Sequence, residues 1–70
     1  MAVKVRMLLA ARGMTIKDLA ERLDPPTTSQ NMSAKLRRDN LSERELNAIA
    51  QACGAVFEGC FILNESGKEL

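Results

Sequence analysis

Histidine is absent from this chain of 70 residues, and cysteine occurs only at Cys53 and Cys60. Without an imidazole, the chain cannot assemble a Ser/His or Cys/His nucleophile pair or a histidine base. The two cysteines match no metal-binding or redox spacing and are too few for a disulfide scaffold. We therefore expect no enzymatic activity, no metal and no other cofactor. Two free thiols are also typical of a reducing compartment.

Long apolar runs are missing as well. The run Met7–Ala11 follows two basic residues, but it is shorter than the roughly 7–15 apolar residues of an export signal. No stretch approaches the ~20 apolar residues that a membrane span requires. The sequence therefore predicts a cytoplasmic protein that does not bind membranes.

The chain length limits the protein to one domain with a small core. Hydrophobic residues make up 46% of the chain, which is enough for a core, but one of this size seldom supplies more than about 3–5 kcal/mol. We expect residues 1–63 to form the domain and the polar segment 64–70 to be a flexible tail. Pairing of two copies is the expected source of further stability, and the domain has no room for a small-molecule effector.

Helical periodicity and capping residues predict two helices in the first part of the chain. The first spans Val3–Arg12 and ends at Gly13, which accepts a left-handed backbone. The second begins after Thr15, with Asp18 placed to complete a capping box. Pro25-Pro26 stops it, because proline lacks a backbone donor and biases the preceding residue to extended geometry.

Two further helices follow. The third begins at Thr27 or Thr28, and if Thr27 is the N-cap, Gln30 completes a capping box. The fourth begins after Ser42, with Glu45 as the partner in its capping box. A helix, a turn and a second, polar and basic helix form the commonest protein device for reading DNA.

The segment Ala55–Leu63 is rich in valine, phenylalanine and isoleucine and predicts a β-strand. An unpaired strand of this kind invites association, and the same strand of a second copy is the simplest partner. The alternatives are Met1–Val5 and the tail. The residues predicted for a dimer interface are Val56, Phe57, Phe61 and Leu63. The predicted fold is mainly α: a four-helix helix-turn-helix DNA-binding domain followed by one C-terminal β-strand.

Charge is distributed unevenly along the chain. Residues 1–40 contain eight lysines and arginines against four acidic residues, whereas residues 41–70 contain two against five. The basic half coincides with the helix-turn-helix, which favours the approach of that face to phosphate. The alternative interpretation is a solvated helix surface.

Three segments resemble the lambda-repressor and Cro-like helix-turn-helix regulators: Met14–Leu23 (MTIKDLAERL), Ser29–Ser33 (SQNMS) and Leu46–Ala50 (LNAIA). The resemblance covers about residues 5–54. It implies that the start of the third helix enters the major groove. The turn Asp24–Thr27 is longer than that family's usual turn and lacks its glycine, and the chain ends in a strand where many relatives have a helix.

Carried over to this chain, the resemblance places Ser29, Gln30, Ser33 and Ala34 in the groove. Side-chain chemistry agrees for Gln30 and adds Asn31, since a side-chain amide can pair with adenine. The small apolar side chain of Ala34 can contact the thymine methyl. The residues expected to contact phosphate, from chemistry and resemblance together, are Thr15, Lys17, Thr28, Lys35, Arg37, Arg38 and Asn40. Capping remains the alternative role for Gln30, and interaction with the helix dipole the alternative for the two arginines.

These patterns predict a homodimeric, double-stranded DNA-binding transcriptional regulator, with repression as its expected action. The alternative function is a protein-interaction adaptor or an antitoxin-like module on the same fold. Loss of DNA binding with added salt would favour the first function, and dependence on the phenylalanines of the strand would favour the second.

Overall fold

The computed structural model describes residues 1–23 and 25–70, so that Asp24, in the predicted turn, lies outside the described residues. The elements are α1 (Ala2–Arg12), α2 (Ile16–Arg22), α3 (Ser29–Arg38), α4 (Glu43–Ala52), β1 (Ala55–Phe57) and β2 (Phe61–Leu63). The prediction of a mainly helical fold is confirmed. Within these two ranges, every helix is too short or too polar to cross a membrane.

The helices begin where their capping residues predict. Thr15 and Asp18 form the expected capping box of α2, and Ser42 and Glu45 form that of α4. At the start of α3 the structure decides between the two threonines. Thr28 is the N-cap, and its hydroxyl accepts the N–H of the residue three positions on. The capping box of Gln30 required Thr27 as the N-cap, and it therefore does not form.

One hydrophobic core joins all six elements. Each helix contributes one stripe of apolar side chains, as the helical spacing predicts, and β1 packs against α4. The fully or almost fully buried core residues are Val5, Leu8, Leu9, Leu19, Ala20, Met32, Leu36, Leu46, Ile49, Ala50, Cys53, Ala55, Phe61 and Leu63. The buried side chains of α2 and α3 thus belong to the same core cluster as those of α1, α4 and the strands.

The prediction of one long strand over 55–63 is wrong, because this segment folds back on itself. β1 and β2 pair antiparallel, with Val56 opposite Ile62. The turn between them contains Gly59, whose φ of 75° lies in a region that residues with a side chain rarely adopt. The strand therefore finds its first partner within the chain.

The tail supplies a second partner for β2, one of the alternatives considered above. The Leu63 N–H donates to the Lys68 carbonyl at 3.0 Å, and the Leu70 N–H donates to the Phe61 carbonyl at 2.9 Å. Residues 64–70, which we expected to be flexible, thus return along β2 in the structure. The other alternative, Met1–Val5, lies almost entirely in α1.

Because residues 55–63 fold back on themselves, most of the predicted dimer interface is buried within a single copy. Phe61 is 0% exposed and Leu63 is 8% exposed, so that both belong to the core of a single copy. Phe57 is half-buried, with its ring centroid 5.3 Å from that of Phe61. Of the four predicted residues, Val56 alone is exposed, at 45%.

Candidate nucleic-acid interface

The junction between α2 and α3 is held by main-chain bonds on both sides of the prolines. The last residue before the turn, Leu23, has left helical geometry (φ −70°, ψ 153°). The Thr27 N–H then donates to the Ala20 carbonyl at 3.0 Å, and Thr28 caps α3. The lengthened turn therefore still returns the chain to the end of α2.

The two helices pack through few side chains. Leu19 and Ala20 of α2 and Met32 and Leu36 of α3 are all 3% exposed or less. With only Met32 and Leu36 buried, one turn apart, most of the surface of α3 faces away from the core.

The outward face of α3 carries four of the side chains that the sequence predicts to contact DNA. Gln30, Ala34, Arg37 and Arg38 follow the spacing i, i+4, i+7 and i+8, which aligns them in one stripe opposite the buried side chains. Both arginines and Gln30 are exposed, and Ala34 is half-buried. Neither arginine forms an ion pair with another described residue. We call these four residues the α3 stripe.

The other residues predicted to read bases are placed less favourably. Ser29 and Ser33 are half-buried on the sides of α3 nearer the core. Asn31 is exposed beside the α3 stripe, but its side-chain amide lies 3.5 Å from the Thr27 hydroxyl, at the long limit of a hydrogen bond. Gln30 and Ala34 are therefore the two side chains best placed to meet a base edge.

Two of the residues predicted to bind phosphate, Thr15 and Thr28, already have a role in capping. The Thr15 hydroxyl accepts the Asp18 N–H at 3.1 Å, and the Asp18 carboxylate accepts the Thr15 N–H at 3.0 Å. The main-chain and hydroxyl bonds from Thr15, with two nearby cations, hold the pKa of Asp18 below its ordinary value. An anion at the start of α2 would meet this carboxylate. Lys17 and Asn40 remain exposed, and the Thr28 hydroxyl is engaged within its own helix.

Lys35 is held by an acidic residue of the next helix. It lies on the flank of α3 that faces α4, and its Nζ forms an ion pair with Glu45 Oε2. The hydrogen bond from Lys35, and to a smaller extent the one from the Ser42 N–H, lowers the pKa of Glu45. Lys35 therefore cannot contact a phosphate without giving up its partner.

Arg12 is the second cation of the basic half that is used internally. Its Nε donates to the Cys53 carbonyl and its Nη2 to the Gly54 carbonyl, both at 2.7 Å, and the guanidinium also pairs with Glu65. A Cβ on Gly54 would lie 3.3 Å from Nη2, so that glycine leaves room for this approach. Acidic residues of the second half thus reduce the charge asymmetry that the sequence predicts.

No family model matches the chain, and no curated protein and no solved structure shows significant similarity to it. The resemblance to helix-turn-helix regulators therefore remains a prediction.

Sequence reasoning missed two contacts that bear on this face. Asp39, directly after α3, accepts hydrogen bonds from the Met1 amino group and from the Ala2 N–H at the start of α1. Glu45 binds Lys35 in addition to capping α4. A capping pattern identified Glu45, but no local pattern links it to Lys35. Asp39 contacts a residue 37 positions away in the chain, which no short-range pattern reports.

Proposed function

We propose that the chain is a sequence-specific transcriptional regulator that reads the major groove of double-stranded DNA with α3. The observation that carries this proposal is the α3 stripe. A glutamine amide can pair with the donor and acceptor groups on the edge of adenine, and an alanine methyl can contact the methyl group of thymine. The two arginines in the last turn suit the flanking phosphates. Repression by occupying a promoter is the simplest action for a domain of this size.

Selection of binding sites from random duplexes tests base reading. The wild type should enrich a short motif, and Gln30→Ala should relax the preference at one position of it, by about 1–3 kcal/mol. Gln51→Ala is the matched control, since Gln51 is an exposed glutamine of α4. An unchanged motif in Gln30→Ala would contradict the assignment of this side chain.

Salt dependence tests the phosphate contacts separately. Arg37→Ala and Arg38→Ala should weaken binding to all duplexes alike, and each should reduce the slope of log affinity against log salt by about one. Lys68→Ala removes the same charge from the exposed tail and should leave the slope unchanged. Equal slopes in all three variants would contradict a phosphate-binding role for the arginines.

A homodimer is part of this proposal, and the edge of β1 is its best-supported surface. The Asn64 N–H donates to the Gly54 carbonyl, and the Glu58 N–H donates to that of Cys60. Because bonded positions alternate along an antiparallel ladder, the main-chain groups of Ala55 and Phe57 point away from β2. β2 is occupied on both sides, so that β1 is the edge strand. Ala55 is almost fully buried, so that the main-chain groups of Phe57 are the accessible part of this edge. An edge strand can pair with its own copy about a two-fold axis.

A lysine on this edge tests the dimer. Val56→Lys should shift the protein towards monomer in sedimentation equilibrium, because charged side chains block edge pairing. Val3→Lys is the control, since Val3 is exposed on α1. A dimer that survives Val56→Lys would rule out this edge. With the edge paired, the selected DNA motif should be an inverted repeat with half-sites about 34 Å apart.

A groove beside α3 supports protein binding as the second candidate function. It has a volume of about 750 Å³ and lies between the turn after α2 and the outer side of α4, lined among others by Pro26, Met32 and Ala48. If the wild type binds no duplex even at low salt, this candidate replaces DNA binding. Ala48→Arg would then be the first substitution to make in the groove.

A further inference from the structure

α1 and α3 end in the same way but with different residues. α1 ends at Gly13 (φ 64°, ψ 32°), and α3 ends at Asp39 (φ 51°, ψ 41°). In both cases the residue donates its N–H to a carbonyl of the last turn. Glycine adopts this left-handed geometry readily, whereas a residue with a Cβ does so at a cost in free energy. Asp39 is the one non-glycine residue with positive φ in the part of the chain that the structure describes.

The side chain of Asp39 explains why aspartate occupies this position. Its Oδ1 accepts the Ala2 N–H at 2.8 Å and also contacts the amino group of Met1 at 3.0 Å. The first N–H groups of a helix have no acceptor within the helix, and Met1 provides no side-chain cap for α1. A carboxylate at this end also complements the helix dipole. The end of α3 thus caps the start of α1.

This contact fixes α3 at its C-terminal end, in addition to the Thr27 bond at its start and the Lys35–Glu45 pair on its flank. The two buried side chains Met32 and Leu36 hold the middle of the helix but lie only one turn apart, and a contact that short resists tilting poorly. The bond from Asp39 to Ala2 restrains the C-terminal end against a different helix. With its C-terminal end held as well, α3 is restrained along its whole length, and the direction of the α3 stripe is set.

We propose that Asp39 is a positioning residue, which locks α3 onto α1 and thereby sets the angle at which Gln30 and Ala34 meet base edges. This inference rests on the proposed function.

Asp39→Asn and Asp39→Gly separate the contact from the charge. Both variants have the same net charge, and both residues tolerate left-handed backbone. Asparagine keeps an oxygen that accepts the Ala2 N–H, whereas glycine has none. The affinities of the wild type and both variants are measured for the duplex that the wild type selects and for a scrambled duplex of equal length.

Asp39→Asn should discriminate between the two duplexes to within about twofold of the wild type, and Asp39→Gly should lose about tenfold, the equivalent of one base contact. The two variants should bind the scrambled duplex equally, because that binding depends on charge. Ala2→Pro removes the same bond from the donor side, at a helix position where proline is favoured. It should reduce discrimination in the same direction, and it remains informative if Asp39→Gly does not fold.

Hydrogen exchange of Val5, whose N–H donates to the Met1 carbonyl in the first turn of α1, reports the cap without DNA and should be faster in Asp39→Gly than in Asp39→Asn. Equal discrimination by Asp39→Gly and Asp39→Asn would overturn this inference alone. A wild type that prefers no duplex would instead overturn the proposed function, and the positioning role with it, while exchange would still report the contact. Thermal melting confirms that each variant is folded.

Discussion

On the proposed function, Glu45→Gln should make DNA binding more dependent on salt, because it releases Lys35 from its ion pair. The two side chains are 48% exposed for Lys35 and 31% exposed for Glu45, and pairs as exposed as this contribute about 0.2–1 kcal/mol. A DNA phosphate must replace that contribution before Lys35 can bind it. Glutamine keeps an oxygen to accept the Ser42 N–H, a bond of 3.2 Å, so that α4 keeps its cap.

The size of the effect follows from counterion release. Each phosphate contact steepens the slope of log affinity against log salt by about 0.9. Between about 50 and 200 mM salt, a fourfold range, one extra contact corresponds to a factor of about 3.5. We therefore expect Glu45→Gln to bind more tightly than the wild type at low salt and to lose about 3.5-fold more affinity over this range. Fluorescence anisotropy with a labelled duplex measures both quantities.

Glu43→Gln distinguishes release of a cation from loss of negative charge. Glu43 is exposed in the same turn of α4 and pairs with no other residue in the described ranges. This control should raise affinity through net charge without adding a contact. If Glu43→Gln and Glu45→Gln steepen the slope equally, or if neither changes it, the reasoning from the ion pair is refuted.

Three predictions concern the fold. Phe61→Ala should lower the free energy of unfolding by about 3–5 kcal/mol, which is comparable to the whole stability that a core of this size supplies. A folded circular dichroism spectrum with a nearly unchanged melting temperature would contradict the burial of this ring. Arg12→Met should lower the melting temperature more than Glu65→Gln, because it also loses the bonds to two main-chain carbonyls, and equal melting temperatures would argue against those bonds. The pKa values of Asp18 and Asp39 are lowered in the folded state, so that their stabilising contribution is present above their ordinary values and is lost as the pH falls below about 4. Melting temperatures measured from pH 7 to pH 3 should therefore fall, and less steeply in Asp18→Asn.

Much of the helical layer could be predicted because its signals are local. The boxes at Thr15 and Ser42 involve partners three residues away, and Gly13 ends its helix through its own backbone freedom. The core stripes follow from helical spacing alone. The hairpin was missed because the β-rich composition of 55–63 outweighed Gly59, the single residue that permits the reversal.

The sequence was enough to predict which residues form the candidate interface. It was not enough to predict which of their side chains are free of intramolecular partners. The α3 stripe follows from sequence positions once the helix is known. That Lys35 is bound by Glu45, and Arg12 by Glu65, depends on how acidic and basic segments meet in space. Charge counted along the chain therefore overstated the number of cations that are free of an intramolecular partner.

Short-range order and long-range contact thus contribute differently to this protein. Helix limits, caps and apolar stripes are encoded within a few residues, where backbone geometry leaves few options. The partner of the strand, the capping of α1 by Asp39 and the pairing of Lys35 each join residues that the chain brings together only after the core has packed. Packing sets those distances, and the same distances determine which side chains of α3 remain free to bind.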